Sequence, residues 1–568
     1  MAGPARGRTR RLAVTLPATA LLAWLCALSA TDSRGQIVLR DVTPQTGITF
    51  RHTDGGSGKK YILEYVSAGL ALFDYDNDGD DDLYFLNGAP LKGATAAVPP
   101  RNALYRNDGG FRFTDVTEQA GVGNTEHGLG VVAGDYDNDG DLDLYLNNYG
   151  PNVLYRNDGD GSFTDVTEAA GVGNGDKVGA GVCFLDVDAD GDLDLYVANY
   201  IKFSYDKHVS RTRMGYAVFP SPRDYLPEPD VLYRNNGDGT FTDVSIESGI
   251  AAHAGPGMGM ICADYDDDGD TDIFVGNDVE ANCLFQNDGS GRFEEAALMA
   301  GLAYDLAGQP HGTMAVEAGD YDNDGRLDFH VTSYQTEIAT LYRNLGNASF
   351  DDVTFLTQAG SGTRAHVTWG NGLVDLDQDG DRDLFIACGH LNSDVGKFDD
   401  TSTYLTPNVL RINDGRGRFV DASAASGDGL AVRASSRGAG FADLDNDGDL
   451  DIVILNSCNI PTILRNDSPQ GNHWLQIRLR GVKSNRDGVG ARVKVIAGDL
   501  TLIDEVHSGR GYQSHWGTRV HFGLGKRDRA DRIEIRWIAG GVDVLTDVPA
   551  DRCWTITEGG ELDECVKP

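Results

Sequence analysis

Asp135-Tyr136-Asp137-Asn138-Asp139-Gly140-Asp141-Leu142-Asp143 decides the fold. It reads D-x-D-x-D-G-x-x-D, and the pattern occurs seven times, with the other copies starting at Asp74, Asp186, Asp264, Asp320, Asp375 and Asp443. Four carboxylates within nine residues repel one another unless a cation cancels them. A hard divalent ion does this, because Ca²⁺ takes about six to eight oxygens and alternate positions of a tight loop point inward. Glycine at position 6 permits the sharp turn. An EF-hand needs a glutamate at position 12 and flanking helices. Here the flanks read as strands, Gly69-Leu70-Ala71-Leu72-Phe73 before the first copy and Leu83-Tyr84-Phe85-Leu86 after it. The expectation is therefore calcium loops set in β-hairpins, about seven Ca²⁺ in all.

The expected ligands are the side chains at positions 1, 3, 5 and 9, with the position-7 carbonyl beside them. They are Asp74, Asp76, Asp78 and Asp82; Asp135, Asp137, Asp139 and Asp143; Asp186, Asp188, Asp190 and Asp194; and Asp264, Asp266, Asp268 and Asp272. The later loops supply Asp320, Asp322, Asp324 and Asp328; Asp375, Asp377, Asp379 and Asp383; and Asp443, Asp445, Asp447 and Asp451. Arg326 stands at position 7 of the fifth loop, where only the backbone is needed.

Two further elements recur with the loops. One is Leu104-Tyr105-Arg106-Asn107, echoed at Leu154, Leu232, Leu284, Leu341, Leu410 and Ile463. The other is Phe113-Thr114-Asp115-Val116-Thr117, echoed around Asp165, Asp243, Glu295, Asp352 and Asp421. Each repeat is thus four strands: A enters the loop, B leaves it, and C and D are the two recurring elements. First aspartates lie 51 to 78 residues apart, a spacing that suits a four-stranded propeller blade. The fold class is all-β, with a seven-bladed propeller over residues 37–466. The last repeat lacks strand D, and the chain begins with an orphan one at Ile37-Val38-Leu39-Arg40-Asp41-Val42-Thr43. Pairing the two closes the ring and removes the open edges. Residues 467–472 read as a linker, 473–557 as a small β-sandwich and 558–568 as a tail. Alternation in His473 to Leu479 and Ala491 to Val495 marks the sandwich strands.

Composition bounds the partners. The chain of 568 residues carries a formal charge of −39, which argues against nucleic acid and anionic membranes. Arg6, Arg8, Arg10 and Arg11 precede an apolar stretch from Leu12 to Leu28, so residues 1–30 are expected to be a secretion signal. The expected location is extracellular or periplasmic, and no segment reads as a membrane span. Setting aside Cys26 leaves seven cysteines, with Cys553–Cys565 and Cys388–Cys458 as the pairings considered.

With these residues the chain resembles the cartilage acidic protein (ASPIC/UnbV) family. The resemblance rests on FG-GAP/VCBS-type calcium repeats, the Leu-Tyr-Arg-Asn and Phe-x-Asp-Val-Thr elements, and Ser508-Gly509-Arg510-Gly511-Tyr512 followed by His521-Phe522-Gly523-Leu524-Gly525. The repeats are shared with integrin α-subunit propellers; their combination with the C-terminal segment is the specific feature. The resemblance implies a secreted, calcium-binding seven-bladed propeller followed by an ASPIC/UnbV domain, and implies little about activity.

Three function readings follow. The leading one is a binding module that recognises an extracellular protein or glycan, with calcium structural. Its long loops are Asn87 to Asn102, Tyr200 to Asp230 and Cys388 to Asn408, all expected on the face opposite the calcium loops. The Tyr200–Asp230 loop mixes Lys202, Lys207, His208, Arg211, Arg213 and Arg223 with Phe203, Tyr205, Tyr216, Phe219 and Tyr225. It either grips an anionic or sugar-like ligand or packs as a lid. The alternative is an enzyme whose metal or acid–base site is built from His127, His253, His311 and His366 at the channel mouth. The third is a matrix-like protein that buffers calcium. No nucleophile elbow, phosphate loop or H-E-x-x-H motif is present.

Overall fold

A computed structural model describes residues 1–3, 37–469 and 471–565. Most of the expected signal segment, the linker residue Gln470 and the last three residues lie outside this description. Seven four-stranded antiparallel sheets follow the repeats in order. In the second, His127–Gly134, Asp143–Tyr149, Val153–Asn157 and Phe163–Asp165 pair in sequence. Innermost strands pack side by side around one axis, from Leu70–Phe73 through His127–Gly134 and onward to Ser436–Ala442, which packs back on Leu70–Phe73. The ring is closed. The seventh sheet takes its outer strand from the N-terminus, where Leu39–Asp41 pairs with Thr462–Asn466.

A hydrogen bond repeated in all seven blades explains the Leu-Tyr-Arg-Asn element. The asparagine donates through Nδ2 to the position-2 carbonyl of the preceding blade's loop, at 2.7–2.9 Å from Asn107, Asn157, Asn235, Asn287, Asn344, Asn413 and Asn466. Its own backbone N–H donates to the position-9 aspartate of its own loop, at 2.7–2.9 Å. One side chain thus ties each loop to strand C and to the neighbouring blade.

The C-terminal region is a sandwich of two four-stranded sheets. Leu475, Ile477, Leu479, Val493, Val495, Ile533 and Ile535 face one another in its core. Glu561–Glu564 is an edge strand paired with Arg552–Thr557, so residues 558–565 are not a tail. Their acidity hid a strand whose Leu562 packs on the core. Cys553 bonds Cys565 at this edge. The expected Cys388–Cys458 pairing does not form; Cys183 bonds Cys262 instead. Strand A of blades three and four carries Cys183 and Cys262, and innermost strands converge on the axis. Cys388 ends its B strand and Cys458 lies two residues beyond its own, both one strand farther from the axis.

Candidate functional site

The seven acidic loops share one geometry. Position 4 has a left-handed backbone in every copy, with φ of 55–64°, which favours asparagine. The position-6 glycine N–H donates to the position-1 carboxylate at 2.8–3.1 Å in all seven. The position-7 N–H donates to the position-5 carboxylate at 3.0–3.2 Å. The backbone therefore aims the carboxylates at a common centre. In the loops of Asp135, Asp186, Asp264 and Asp320, oxygens from positions 1, 3 and 9 lie within 4.8 Å of one another; in the first loop Asp74, Asp76 and Asp78 do so.

Position 3 is the informative one. Oδ1 of Asp76, Asp188, Asp266, Asp322, Asp377 and Asp445 is buried with no hydrogen-bond donor. A buried carboxylate oxygen in that state is costly unless a cation or a proton meets it. Burial pushes the position-9 carboxyls far above the usual range in every loop. At position 1, burial and then neighbouring Asp487 raise Asp135 to about 8, and burial raises Asp186, Asp320 and Asp443 to about 7. The residues present therefore fit a hard, oxygen-preferring divalent ion.

The loops are linked to one another. Asn77, Asn138, Asn323 and Gln378 at position 4 each donate to the position-7 aspartate of the next loop, at 2.6–2.9 Å. Asn446 does the same to Asp80 and links the last loop to the first. Ala189 and Asp267 break the series.

The C-terminal sandwich sits on this loop face. Gln476 Nε2 donates to Asp443 at 2.8 Å, and Asp487 accepts from the Asp135 N–H at 2.8 Å. Arg519 donates to the Gly79 carbonyl at 3.0 Å, Arg536 pairs with Asp264, and Arg492 reaches Asp267 at 3.1 Å. Asn472 donates to the Asp377 carbonyl at 2.8 Å, and Ile503 packs on Ala263 and Leu327.

From that sandwich, residues 507–516 run into the channel. Ser508 Oγ donates to the Ala133 carbonyl at 2.6 Å, and His507 Nδ1 lies 2.9 Å from the Cys262 carbonyl. The Gly511 N–H donates to Val316, while His515 exchanges backbone bonds with Leu70 and Leu72. Gly509 has φ +91°, and a Cβ there would lie 2.1 Å from the Val182 carbonyl. Arg510 pairs with Glu317, which is 0% exposed, and lies 4.0 Å above the Trp516 ring. Tyr512 goes deepest: its hydroxyl donates to the Val66 carbonyl at 2.7 Å, and its ring meets Trp369 edge-on. The segment's contacts with the blades fall on the innermost strands. Strand A carries glycine five residues before the first aspartate in six blades, Gly69, Gly130, Gly181, Gly259, Gly370 and Gly438. At Gly69 and Gly259 a Cβ would lie 2.2 and 2.5 Å from carbonyls of this inserted segment.

Family comparison agrees with both halves. The family model described as an FG-GAP-like repeat matches residues 74–146, 135–197, 223–275, 264–331, 320–386 and 375–454, and the one described as ASPIC and UnbV matches 481–562. The chain belongs to the FG-GAP-like repeat proteins with an ASPIC and UnbV module. Among relatives of this FG-GAP and ASPIC/UnbV protein, cartilage acidic protein 1 of Homo sapiens is 25% identical over 513 residues, covering 84% of this chain and 69% of the relative. The Xenopus tropicalis protein of that name is 24% identical over 498 residues, and the match spans 84% of this chain and 61% of the relative. A solved lectin from Agrocybe aegerita, described for recognition of non-reducing terminal N-acetylglucosamine, is 15% identical with a TM-score of 0.37, covering 63% of this chain and 81% of the lectin.

The four histidines of this FG-GAP and ASPIC/UnbV protein have four different settings. His127 is 2% exposed, its ring nitrogens 3.2 Å from the Ala89 and Leu63 carbonyls. His253 is exposed, edge-on to Phe285. His311 Nε2 lies 3.2 Å from Asp305, and His366 is half-buried near Arg433, its pKa lowered by burial and then by that charge. The channel itself is filled by the inserted segment, not lined by these rings. Sequence reading caught the Ser508–Tyr512 text as a family signature but not its place. The glycine that recurs five residues before six of the seven loops was the available signal of a crowded axis.

The opposite face carries the long loops. Ile62–Tyr65 and the Tyr200–Asp230 loop cover the channel there, with Phe203, Tyr205, Phe219 and Tyr225 packed against Tyr61, Tyr65, Trp369 and Tyr512. The loop's arginines are paired: Arg211 with Asp224, Arg213 with Asp399 and Arg223 with Glu280. The loop is a lid packed on its own propeller. Among the described residues no helix is long and apolar enough to cross a membrane.

Proposed function

We propose that this protein is an exported, calcium-rigidified propeller that recognises an extracellular protein or glycan through its loop-rich face. Calcium is structural: the aspartates at positions 1, 3, 5 and 9 hold it with the position-7 carbonyl, and the ion supplies the charge that lets those carboxylates stay ionised and buried. The observation that carries this reading is the set of six position-3 oxygens buried without a donor, in loops whose face the C-terminal sandwich contacts. A covered loop is poorly placed to meet a partner and well placed to brace a fold. With the loop face covered and the channel filled, the lid-bearing face is the one left for recognition. Two disulfides fit an oxidising compartment.

Elemental analysis of the purified, mildly dialysed protein tests the reading. About seven calcium ions per chain and no stoichiometric transition metal are expected. A count of two or fewer, with calcium titration producing no rise in melting temperature, overturns it. Protein and glycan arrays then identify the ligand.

A further inference from the structure

The lid and the blades enclose a cavity of 230 Å³ on the open face. Its walls are aromatic, from Tyr65, Phe219, Tyr334 and Phe398. Between the rings stand Asn392, Asp278, His390 and Arg213. Asn392 is 5% exposed, and its Oδ1 is buried with no donor. A buried amide oxygen in a native fold is rarely left so, and because Asn392 lines the cavity this oxygen is the lining's unused acceptor. Asp278 is also 5% exposed; one of its oxygens accepts from Tyr200 Oη at 2.7 Å.

The charge of the lining selects the ligand. Arg213 is paired with Asp399 at 3.5 Å, and burial raises the Asp278 pKa to about 7, so the lining carries little net charge. His390 Nδ1 accepts from the Asn392 N–H at 2.9 Å, Nε2 faces Gln335 Oε1 at 3.2 Å, and burial lowers its pKa to about 4, so the ring is neutral. The aromatic faces that attract cations already have them: Arg213 lies 5.4 Å over Phe398 and Lys60 4.5 Å over Phe219. A small cation gains little here, and an anion meets Asp278. What fits is an uncharged ring with apolar C–H faces for the aromatics and hydroxyls for the acceptors.

We propose that this cavity is a subsite for one ring of a neutral glycan, held between Phe398 and Tyr334 and hydrogen-bonded by Asn392 and Asp278. The proposal rests on the reading of the open face as a recognition surface and names its ligand class. The cavity admits one sugar ring, which makes it a site for a chain end or side branch.

Saturation-transfer NMR on the full mature chain with calcium tests it. The probes are the methyl glycosides of glucose, galactose, mannose and N-acetylglucosamine, with glucuronate and glucosamine as charged controls. At least one neutral glycoside is expected to receive saturation at its ring protons, and Phe398→Ala abolishes the signal. Asn392→Leu weakens binding at least tenfold while the melting temperature stays unchanged or rises, because the lost oxygen had no partner. A merely structural Asn392 leaves binding intact and overturns its assignment. Arg213→Gln, whose side chain is 58% exposed, provides a variant expected to fold if either of the others fails. It leaves Asp399 without its counter-charge and removes the cation from the lining, and is expected to shift preference from neutral glycosides towards glucosamine. No transfer to any neutral glycoside, or stronger transfer to a charged control in the parent protein, overturns the proposal. Binding on a protein array without any sugar binding overturns this subsite alone and leaves the recognition-module reading standing.

Discussion

Replacing Arg510 by methionine cuts the anchor that holds the C-terminal segment in the channel. Arg510 and Glu317 are 4% and 0% exposed, and the guanidinium meets both carboxylate oxygens. In the variant Glu317 keeps only the Ala318 N–H at 3.1 Å. Removing one member of a buried pair leaves an uncompensated charge and costs about 3–5 kcal/mol. Burial already raises the Glu317 pKa, and Arg510 is the group opposing that rise, so the variant's carboxyl shifts further upward. An acid whose folded pKa is raised destabilises the fold above that pKa. The penalty fades as pH falls through it towards the unfolded value of about 4.5. Arg510→Met is therefore expected to melt well below the parent at pH 8 and to approach it near pH 5. Glu317→Gln in the same chain removes the orphan charge and restores most of the loss. The assay is calorimetry of parent, both single variants and the double variant across pH 5–8 in constant calcium. A single Arg510→Met variant within about 1 kcal/mol of the parent at pH 8, or a deficit that does not shrink on acidification, refutes the anchoring role.

Calcium removal inverts a second pH dependence. The stripped loops hold protons that the unfolded chain releases near pH 4, so chelated protein gains stability as pH falls from about 8; the calcium-loaded protein loses stability over the same range as protons displace the ion. Melting curves in chelator and in millimolar calcium check the opposite slopes. Asp143→Ala is expected to lower the calcium count by one and to cost about 1–3 kcal/mol more for each of the Asn157 and Tyr136 N–H groups it leaves unpaired, read by elemental analysis and calorimetry. Asn466→Ala unties the closing blade from the Leu376 and Leu450 carbonyls, at 2.9 and 3.2 Å, and is expected to cost about 1–3 kcal/mol per buried carbonyl. A denaturation midpoint equal to the parent's counts against that interblade tie.

Much of the propeller was legible because its information is local and periodic. The loop text sets its own turn through Gly140 and the left-handed Asn138, and the apolar residues on either side of it can only bury themselves as strands. The missing strand after Asn466 and the spare one at Leu39 are two ends of the same sheet. The acidic strand Glu561–Glu564 was missed because its burial is one-sided and rests on Leu562 alone. Cys388 and Cys458 sit at or just beyond the ends of equivalent strands of neighbouring repeats, but that likeness in a radial array does not bring side chains together away from the axis.

Composition and periodicity were enough to establish an all-β chain of seven loop-bearing sheets with a second β unit behind them, since six blades form from contacts within their own repeat and the seventh needs only the spare N-terminal strand. They could not say that the second unit covers the loops or that Arg510 and Tyr512 enter the channel, because those contacts join residues that lie nearly two hundred to over four hundred positions apart and follow no repeat. Nor could they separate the histidines: similar positions before each loop suggested one ring, while the neighbours supplied by the folded chain give His127, His253, His311 and His366 four different environments. Local chemistry shapes each blade, and long-range packing governs what the assembled ring leaves open.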